Sequence, residues 1–166
     1  MARKCFFSFH YNRDVARAAQ VRQIGSIEGN APVSDNDWEA VTKGGDAAIK
    51  RWIAGQMKGK SCVVVLAGTN TANRKWINHE IIQGWDLGKG VVVIRIHGLK
   101  NFDGKVSAKG KNPLSFITHG PTGKRLSSIA HCYDPVGSNS KERYAWIKKH
   151  LANAVEEAIR IRGENE

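Results

Sequence analysis

Two segments of the chain place polar and aromatic side chains at the point where an apolar strand leads into a helix. These are Phe6–Asp14 and Thr71–Ile81, and in the second segment Trp76 and Glu80 stand one helical turn apart. Glu80 lies off the apolar stripe of its predicted helix, so it is either a solvated surface group or a carboxylate aimed at a ligand. A carboxylate at such a place could hold hydroxyl groups and stabilise developing positive charge.

Motifs for other common chemistries are absent from the sequence. We find no dinucleotide-binding GxGxxG, no phosphate-loop GxxxxGK[ST], no nucleophile-elbow GxSxG and no zinc-binding HExxH. Cys5, Cys62 and Cys132 form neither a CxxC pair nor a Cys/His cluster, so free thiols in a reducing cytosol are expected. These observations predict no metal site.

The charge of the chain favours anionic partners. Lysine and arginine number 26 and aspartate and glutamate 15, which gives a formal net charge of +11. The charge is uneven, because Gly98–Ser128 is strongly basic whereas Glu28–Asp46 is acidic. The basic stretch is either a solvated loop or a surface that faces phosphate groups. No aromatic RNA-binding signature occurs, so nucleic acid is only a minor alternative as a partner.

Short apolar runs alternate with amphipathic stretches along the chain. The predicted strands are rich in β-branched or aromatic residues and cover Lys4–Phe9, Ser61–Ala67, Val91–Ile96 and Ile129–Tyr133. The predicted helices have apolar residues at helical spacing and cover Asp14–Ile24, Asp46–Met57, Asn73–Leu87 and a last helix opened by Asn139. This alternation predicts one three-layer α/β domain over residues 1–166, with a mainly parallel central sheet.

Two long stretches lack a regular pattern and are predicted to be loops. Gly25–Gly45 is rich in turn-forming residues, and Gly98–Ser128 is long enough to suggest a functional loop near the carboxyl ends of the strands. Ligands of parallel α/β sheets bind at that edge. The candidate binding residues are therefore those that follow the strands, namely Phe9–Asp14, Gly68–Arg74, His97–Lys100 and Asp134.

Several separated segments resemble the TIR domain. FFSFHY at Phe6–Tyr11 is similar to its opening strand, and Thr71–Ile81 is similar to its third-helix motif S-x-W-x-x-x-E. The TIR-like family of bacterial Thoeris anti-phage defence, the ThsB-like group, matches in more detail. Its further matches are RAAQVR at Arg17–Arg22, the pair Asp37–Trp38 and GKNP at Gly110–Pro113. The resemblance covers about residues 3–115 and implies a flavodoxin-like, TIR-like fold.

The resemblance implies an enzyme for which NAD is the substrate, so no bound cofactor is expected. TIR enzymes cleave the nicotinamide–ribose bond, and ThsB-like members close the ADP-ribose into a cyclic signal for a partner effector. Glycosidic cleavage passes through an oxocarbenium-like sugar. Because nicotinamide leaves as a neutral molecule, one carboxylate is enough and no general acid is needed.

The resemblance also implies roles for particular residues. By its place in the motif, Glu80 is implied as the catalytic carboxylate. Phe9 and His10 are expected to flank the ribose or nicotinamide, Trp76 to form a wall of the pocket, and Trp38 to stack on a base. The basic residues expected near the diphosphate are Arg74, Lys75 and Lys100. Core packing or a solvated position is the alternative for each aromatic residue and for His10.

The partners that the resemblance implies reach beyond the substrate. TIR enzymes often build composite sites between subunits, so we expect self-association, a phage-derived trigger and an effector reached through a diffusible product. A non-catalytic adaptor that acts by protein–protein assembly is the alternative function. No apolar run approaches the ~20 residues that span a bilayer and no export signal is found, so a cytoplasmic protein without membrane contact is expected.

Overall fold

Five parallel strands form the central sheet of the structure, a computed structural model that describes residues 2–30 and 35–165 but not the side chains of residues 35–38. In chain order the strands are β1 (Arg3–Phe9), β2 (Ile27–Gly29), β3 (Cys62–Ala67), β4 (Gly90–Arg95) and β5 (Cys132–Tyr133). Across the sheet they run β2-β1-β3-β4-β5, and each neighbouring pair is parallel. The predicted three-layer, flavodoxin-like and TIR-like α/β fold is confirmed.

Helices cover both faces of this sheet. They are α1 (Tyr11–Arg22), α2 (Asp35–Lys43), α3 (Gly45–Met57), α4 (Lys75–Asp86) and α5 (Ser140–Glu164). α1 and α5 pack on one face, whereas α3 and α4 pack on the other. Asn139 opens α5 as predicted, because its side chain accepts a hydrogen bond from the Glu142 amide. Within the described ranges, no helix is both long and apolar enough to cross a bilayer.

The core follows from the two-residue period of the central strands. Cys62, Val64 and Leu66 of β3 face α1 and α5, whereas Val63 and Val65 face α3 and α4. Every residue of β3 is buried, as are most of β4, because helices cover both faces. This explains why the two strands appear in the sequence as continuous apolar runs.

The prediction of a loop over Gly25–Gly45 is wrong, because this stretch contains β2 and α2. β2 has only three residues and pairs with Arg3–Cys5, so it is too short to show an alternating pattern. α2 has the sequence DNDWEAVTK, which offers few apolar residues at helical spacing. Residues 31–34, between the two elements, lie outside the described residues.

The stretch Gly98–Ser128 is irregular as predicted, apart from two short 3₁₀ turns at Pro113–Phe116 and Leu126–Ser128. Its first part stays at the carboxyl edge of the sheet, where the Arg95 guanidinium donates to the Gly110 carbonyl at 2.5 Å. Its last part leaves that edge, so the predicted position is wrong for this half. The ring of His119 packs edge-on against Trp85, near the end of α4, with 5.6 Å between centroids.

The direction of the last strand explains why the second half of Gly98–Ser128 leaves the carboxyl edge of the sheet. β5 is parallel to β4, so the chain must return to the amino edge of the sheet before β5 begins. An irregular crossover makes this return where a helix would be usual. The last strand is also shorter than predicted, since only Cys132–Tyr133 pair with Val93 and Ile94 rather than the whole of Ile129–Tyr133.

Gly84 allows α4 to pack unusually close to the sheet. A Cβ atom at this position would lie 2.4 Å from Cγ2 of Val63, a distance that real contacts do not reach. Gly84 stands one helical turn after Glu80 and therefore on the same face of α4. The close approach thus sets how near Glu80 comes to β1 and β3.

We predict that Gly84→Ala destabilises the fold by about 1–3 kcal/mol, because the added methyl group overpacks the contact between α4 and β3. Gly55→Ala in α3 is the matched control, since a Cβ at Gly55 meets nothing within 4 Å. That variant should gain up to ~1 kcal/mol from its better helix propensity. Chemical denaturation measures both values, and equal stability of the two variants would contradict the close packing at Gly84.

Candidate active site

The outer edge of β1 is only half covered by its neighbour. β2 pairs with Arg3–Cys5, so on this outer side the remaining residues of β1, Phe6–Phe9, have no strand beside them within the part of the chain that is described. Asn30 takes one of the free positions, because its Oδ1 accepts a hydrogen bond from the Phe7 amide at 2.9 Å. A cavity of about 620 Å³ lies along this uncovered half of β1.

Aromatic side chains form much of the cavity wall, namely Phe6, Phe7, Phe9, Tyr11, Trp52 and Trp76. The rings of Phe9 and Tyr11 stack with centroids 6.2 Å apart. The guanidinium of Arg22 lies 5.4 Å from the ring centroid of Phe7 and 5.5 Å from that of Phe9. The volume is that of a small-molecule site, and flat aromatic walls suit a planar ring.

Glu80 lines this cavity and is only 9% exposed. It projects from α4 toward β1, where the Ser8 hydroxyl donates a hydrogen bond to Glu80 Oε1 at 2.7 Å. Ser8 alternates with Phe7 and Phe9 along β1, so it faces α4 while its neighbours face α1. Two residues that stand 72 positions apart in the sequence therefore meet at the cavity.

Two influences act on the carboxyl group of Glu80. Burial raises its pKa to about 8, and the hydrogen bond from Ser8 opposes this rise because it favours the charged form. The group is therefore mostly protonated at neutral pH in the empty cavity. A cationic ligand beside it would favour the carboxylate, so ligand binding and proton release are linked.

The sequence left two interpretations of Glu80 open, a solvated surface group and a carboxylate aimed at a ligand. The burial of its side chain shows that the first is wrong. The side chain does lie off the stripe formed by Ile77, Ile81 and Trp85, which packs into the core. The half-covered edge of β1 provides a second buried surface on the adjacent side of α4. Two faces of the helix are buried here, and the apolar pattern marks only one of them.

The structure brings together most of the residues predicted for the site. Phe9, His10, Arg74 and Trp76 line the same cavity as Glu80, and so does Lys75. Lys75 also forms an ion pair with Asp46 and lies over the ring of Trp76, 4.9 Å from its centroid. These contacts place the predicted residues near one another and leave their roles as predictions.

Two predicted residues are not brought to this cavity. Lys100 lines a separate depression beside Phe102 and Tyr144, where its backbone amide donates to Ser140 Oγ at 3.0 Å. The loop after β4 turns toward α1 and α5 at this point, so Lys100 is left out of the candidate site. Trp38 belongs to α2, but its side chain lies outside the described residues.

Sequence reasoning missed several residues of the cavity, including Ser8, Arg22, Asn30 and Trp52. The sequence does mark Ser8, because it is a polar residue within an otherwise apolar predicted strand. Trp52 lies at helical spacing with Ile49 and Ile53, a pattern that indicates core packing rather than a binding site. Arg22 ends the RAAQVR motif, but the motif does not indicate that its side chain reaches the cavity. Asn30 has no signal in the sequence, because its position depends on where β2 ends.

In the described part of the chain, no group of three or more His, Cys, Asp or Glu side chains could hold a metal ion.

We predict that the stability of the protein falls as pH rises from about 4.5 to about 8, relative to a Glu80→Gln variant. The folded-state pKa of Glu80 lies above its usual value, so in this window the folded state binds more protons than the unfolded state. The free energy of unfolding therefore falls as pH rises. The difference is at most about 5 kcal/mol. Denaturant unfolding at pH 5, 7 and 9 measures it, and a constant difference would contradict the burial of this carboxyl group.

Comparison with known proteins places this geometry in a family. A family model described as "Thoeris protein ThsB, TIR-like domain" matches residues 6–101, which include every residue that lines the cavity. A protein of Bacillus cereus (strain MSX-D12), named "Putative cyclic ADP-D-ribose synthase ThsB1", is 32% identical over 151 residues, or 86% of this chain and 76% of the relative. The resemblance seen in the sequence is confirmed, and the chain belongs to the ThsB TIR-like family of Thoeris.

Proposed function

We propose that the protein cleaves the nicotinamide–ribose bond of NAD and closes the remaining ADP-ribose into a cyclic product. The observation that carries the proposal is the position of Glu80, a buried carboxyl group that faces an aromatic cavity and receives a hydrogen bond from Ser8. Membership of the ThsB family supports it. The name of the relative, a cyclic ADP-D-ribose synthase, supports the cyclising half of the reaction.

The first step is the binding of the nicotinamide riboside part of NAD in the aromatic cavity. The nicotinamide ring of NAD carries a positive charge, and flat aromatic faces attract cations. The same charge lowers the pKa of Glu80, which is raised to about 8 in the empty cavity. Substrate binding therefore converts the carboxyl group into the carboxylate that the next step requires.

The second step breaks the bond between ribose carbon 1 and the nicotinamide nitrogen. The electron pair of this bond stays with nicotinamide, which leaves as a neutral molecule and needs no proton. Positive charge moves onto the sugar, and the carboxylate of Glu80 stabilises it. The hydrogen bond from Ser8 holds the carboxylate in place, so little reorganisation is needed when the charge appears.

The third step joins carbon 1 to a nucleophile. A ribose hydroxyl or an adenine nitrogen of the same molecule closes the ring, whereas water would produce linear ADP-ribose. A hydroxyl nucleophile loses its proton as the new bond forms, and Glu80 is the group available to accept it. Apolar aromatic walls around the sugar disfavour water and thereby favour the cyclic product.

The proposal extends to the surroundings of the enzyme. The cyclic product diffuses to a partner effector, a phage-derived trigger starts synthesis, and self-association completes the site in a cytoplasmic assembly. The test is incubation of the protein with NAD, with and without lysate from phage-infected cells, followed by mass spectrometry of the products. A protein that consumes no NAD under either condition but assembles with a partner protein would instead be the non-catalytic adaptor.

We predict that Glu80→Gln abolishes NAD cleavage and formation of the cyclic product while the protein stays folded. The amide keeps the size of the side chain and accepts a hydrogen bond from Ser8 but carries no negative charge. Loss of one such electrostatic contact lowers the rate by ~10²–10³-fold. Glu28→Gln is the matched control, since Glu28 is an exposed glutamate of β2 outside the cavity. Wild-type turnover by Glu80→Gln would reject the assignment.

We predict a pH profile in which kcat/KM for NAD rises from pH 6, passes its midpoint at about pH 8 and levels off about one pH unit higher. The free enzyme must lose the proton of Glu80, whose pKa is about 8. The midpoint for kcat should lie lower, because bound cationic substrate favours the carboxylate.

Ser8→Ala should move the midpoint of the kcat/KM profile to higher pH, because it removes the hydrogen bond that opposes the rise in pKa. Ser115→Ala, at an exposed serine of the loop after β4, is the control and should leave the profile unchanged. A profile that is flat from pH 6 to 9, or identical in Ser8→Ala, contradicts this role for Ser8.

A further inference from the structure

A second depression, of about 960 Å³, adjoins the aromatic cavity at the carboxyl edge of the sheet. The two share His10, Asn73 and Arg74 as a common border. The far side of the second depression is formed by Arg13 of α1 and by the loop after β4, up to Lys111. We call this depression the basic groove; Glu80 and the aromatic rings of the first cavity lie outside its lining.

Among the described residues, the wall of the basic groove has no carboxylate and carries four cationic side chains, namely Arg13, Arg74, Lys109 and Lys111. All four are exposed. Lys109 pairs with Asp134 at 3.0 Å, whereas the other three form no ion pair with any described residue. Burial and the charge of Arg74 lower the pKa of His10, the charge of Asp14 opposes this, and the charge of Arg13 lowers the pKa further. The described lining of the groove therefore carries a net positive charge, mainly from Arg13, Arg74 and Lys111.

The loop that supplies Lys109 and Lys111 is fixed against the sheet. Its Gly110 carbonyl accepts a hydrogen bond from the Arg95 guanidinium at 2.5 Å, and the Ala108 carbonyl accepts one from the Thr69 hydroxyl. Gly110 packs so closely on the turn after β3 that a Cβ would lie 2.4 Å from the Thr69 carbonyl oxygen. The two lysines flank this anchored position, so the loop holds them at the groove.

We infer that the basic groove binds the diphosphate of the dinucleotide whose nicotinamide ribose occupies the aromatic cavity. The inference rests on the proposed function. NAD joins a cationic, planar end to two anionic phosphate groups, and the two depressions offer matching surfaces in that order. Guanidinium and ammonium groups donate charge-assisted hydrogen bonds to phosphate oxygens. The first turns of α1 and α4, which have no side-chain cap, add amide donors at the shared border.

A consequence concerns substrate class. With the diphosphate held in the groove, the reacting sugar is positioned beside Glu80, so binding free energy from the phosphates supports the chemistry at carbon 1. Nicotinamide riboside, which lacks phosphate, should therefore be a poor substrate even though its ring and sugar fit the aromatic cavity. The adenosine part then lies beyond the groove. It must fold back toward carbon 1 so that an adenine nitrogen or a ribose hydroxyl can close the ring.

The experiment is calorimetric binding of ADP-ribose, a ligand with no nicotinamide bond left to break. Lys111→Glu and Arg13→Glu change groove residues on two different elements, the loop after β4 and α1, and should each weaken binding by about tenfold or more. Wild-type affinity should fall as salt rises, and this dependence should flatten in both variants. Lys100→Glu is the matched control, since it makes the same change in the same loop but faces a separate depression. It should alter affinity by less than about twofold.

Several results would overturn the inference. Equal weakening by Lys100→Glu and Lys111→Glu would indicate only a general effect of net charge. Unchanged ADP-ribose binding in Lys111→Glu and Arg13→Glu would exclude the groove. If a single-stranded RNA oligonucleotide binds and loses affinity in Lys111→Glu while ADP-ribose does not bind, the groove is a nucleic-acid surface.

The inference and the proposed function can fail separately in this experiment. Charge-dependent ADP-ribose binding by a protein that never cleaves NAD would contradict the proposed function and leave the groove assigned. NAD cleavage that depends on Glu80 but keeps its wild-type KM in Lys111→Glu would contradict the groove alone. Thermal unfolding of each variant confirms that the exposed substitutions leave the fold intact.

Discussion

The hydrogen bond between Ser8 and Glu80 joins the candidate site to the centre of the sheet. A carboxyl group loses hydration when it is buried, and a single hydroxyl donor compensates only part of that loss. The remainder appears as the raised pKa of Glu80. The bond also requires α4 to lie close to the sheet, which Gly84 permits by leaving no side chain against Val63. Packing, protonation and chemistry at this site therefore depend on the same contact.

The space for a ligand comes from an incomplete sheet edge. On its inner side β1 pairs with β3 from Cys5 to Phe9, whereas on its outer side, within the described residues, β2 pairs only with Arg3–Cys5. The inner pairing holds the strand in place, so its outer edge can remain open without loss of the fold. The candidate site thus lies where the regular pairing of strands ends, and binding sites of parallel sheets are common at the carboxyl edge.

Two neighbouring depressions of different character share one border. Aromatic rings and the buried acid Glu80 line the first together with the cations Arg22, Arg74 and Lys75, whereas the described lining of the basic groove is polar and cationic, with Arg13 from α1, Arg74 at the start of α4 and Lys109 and Lys111 from the loop after β4. A ligand with a planar ring at one end and anionic groups beyond it matches this difference, because aromatic faces suit the ring and the cations attract the anionic groups. Part of the net charge of +11 is concentrated in the basic groove, so the charge of the chain agrees with an anionic ligand at that place.

The sequence by itself determined the layers of the fold and the identity of the family. SCVVVLA and VVVIRI predict strands buried on both faces because burial in a parallel sheet leaves a continuous apolar run, and Asn139 predicts the start of α5 because capping is local. Motifs around Phe6 and Trp76 identified the family for the same reason, since each is a contiguous pattern. Only the tertiary structure decided that β2 ends after three residues, that Glu80 is buried against Ser8 and that Lys100 lies apart while Lys111 reaches the groove. These facts depend on contacts between elements far apart in the chain, and no local pattern of residues encodes where two such elements meet.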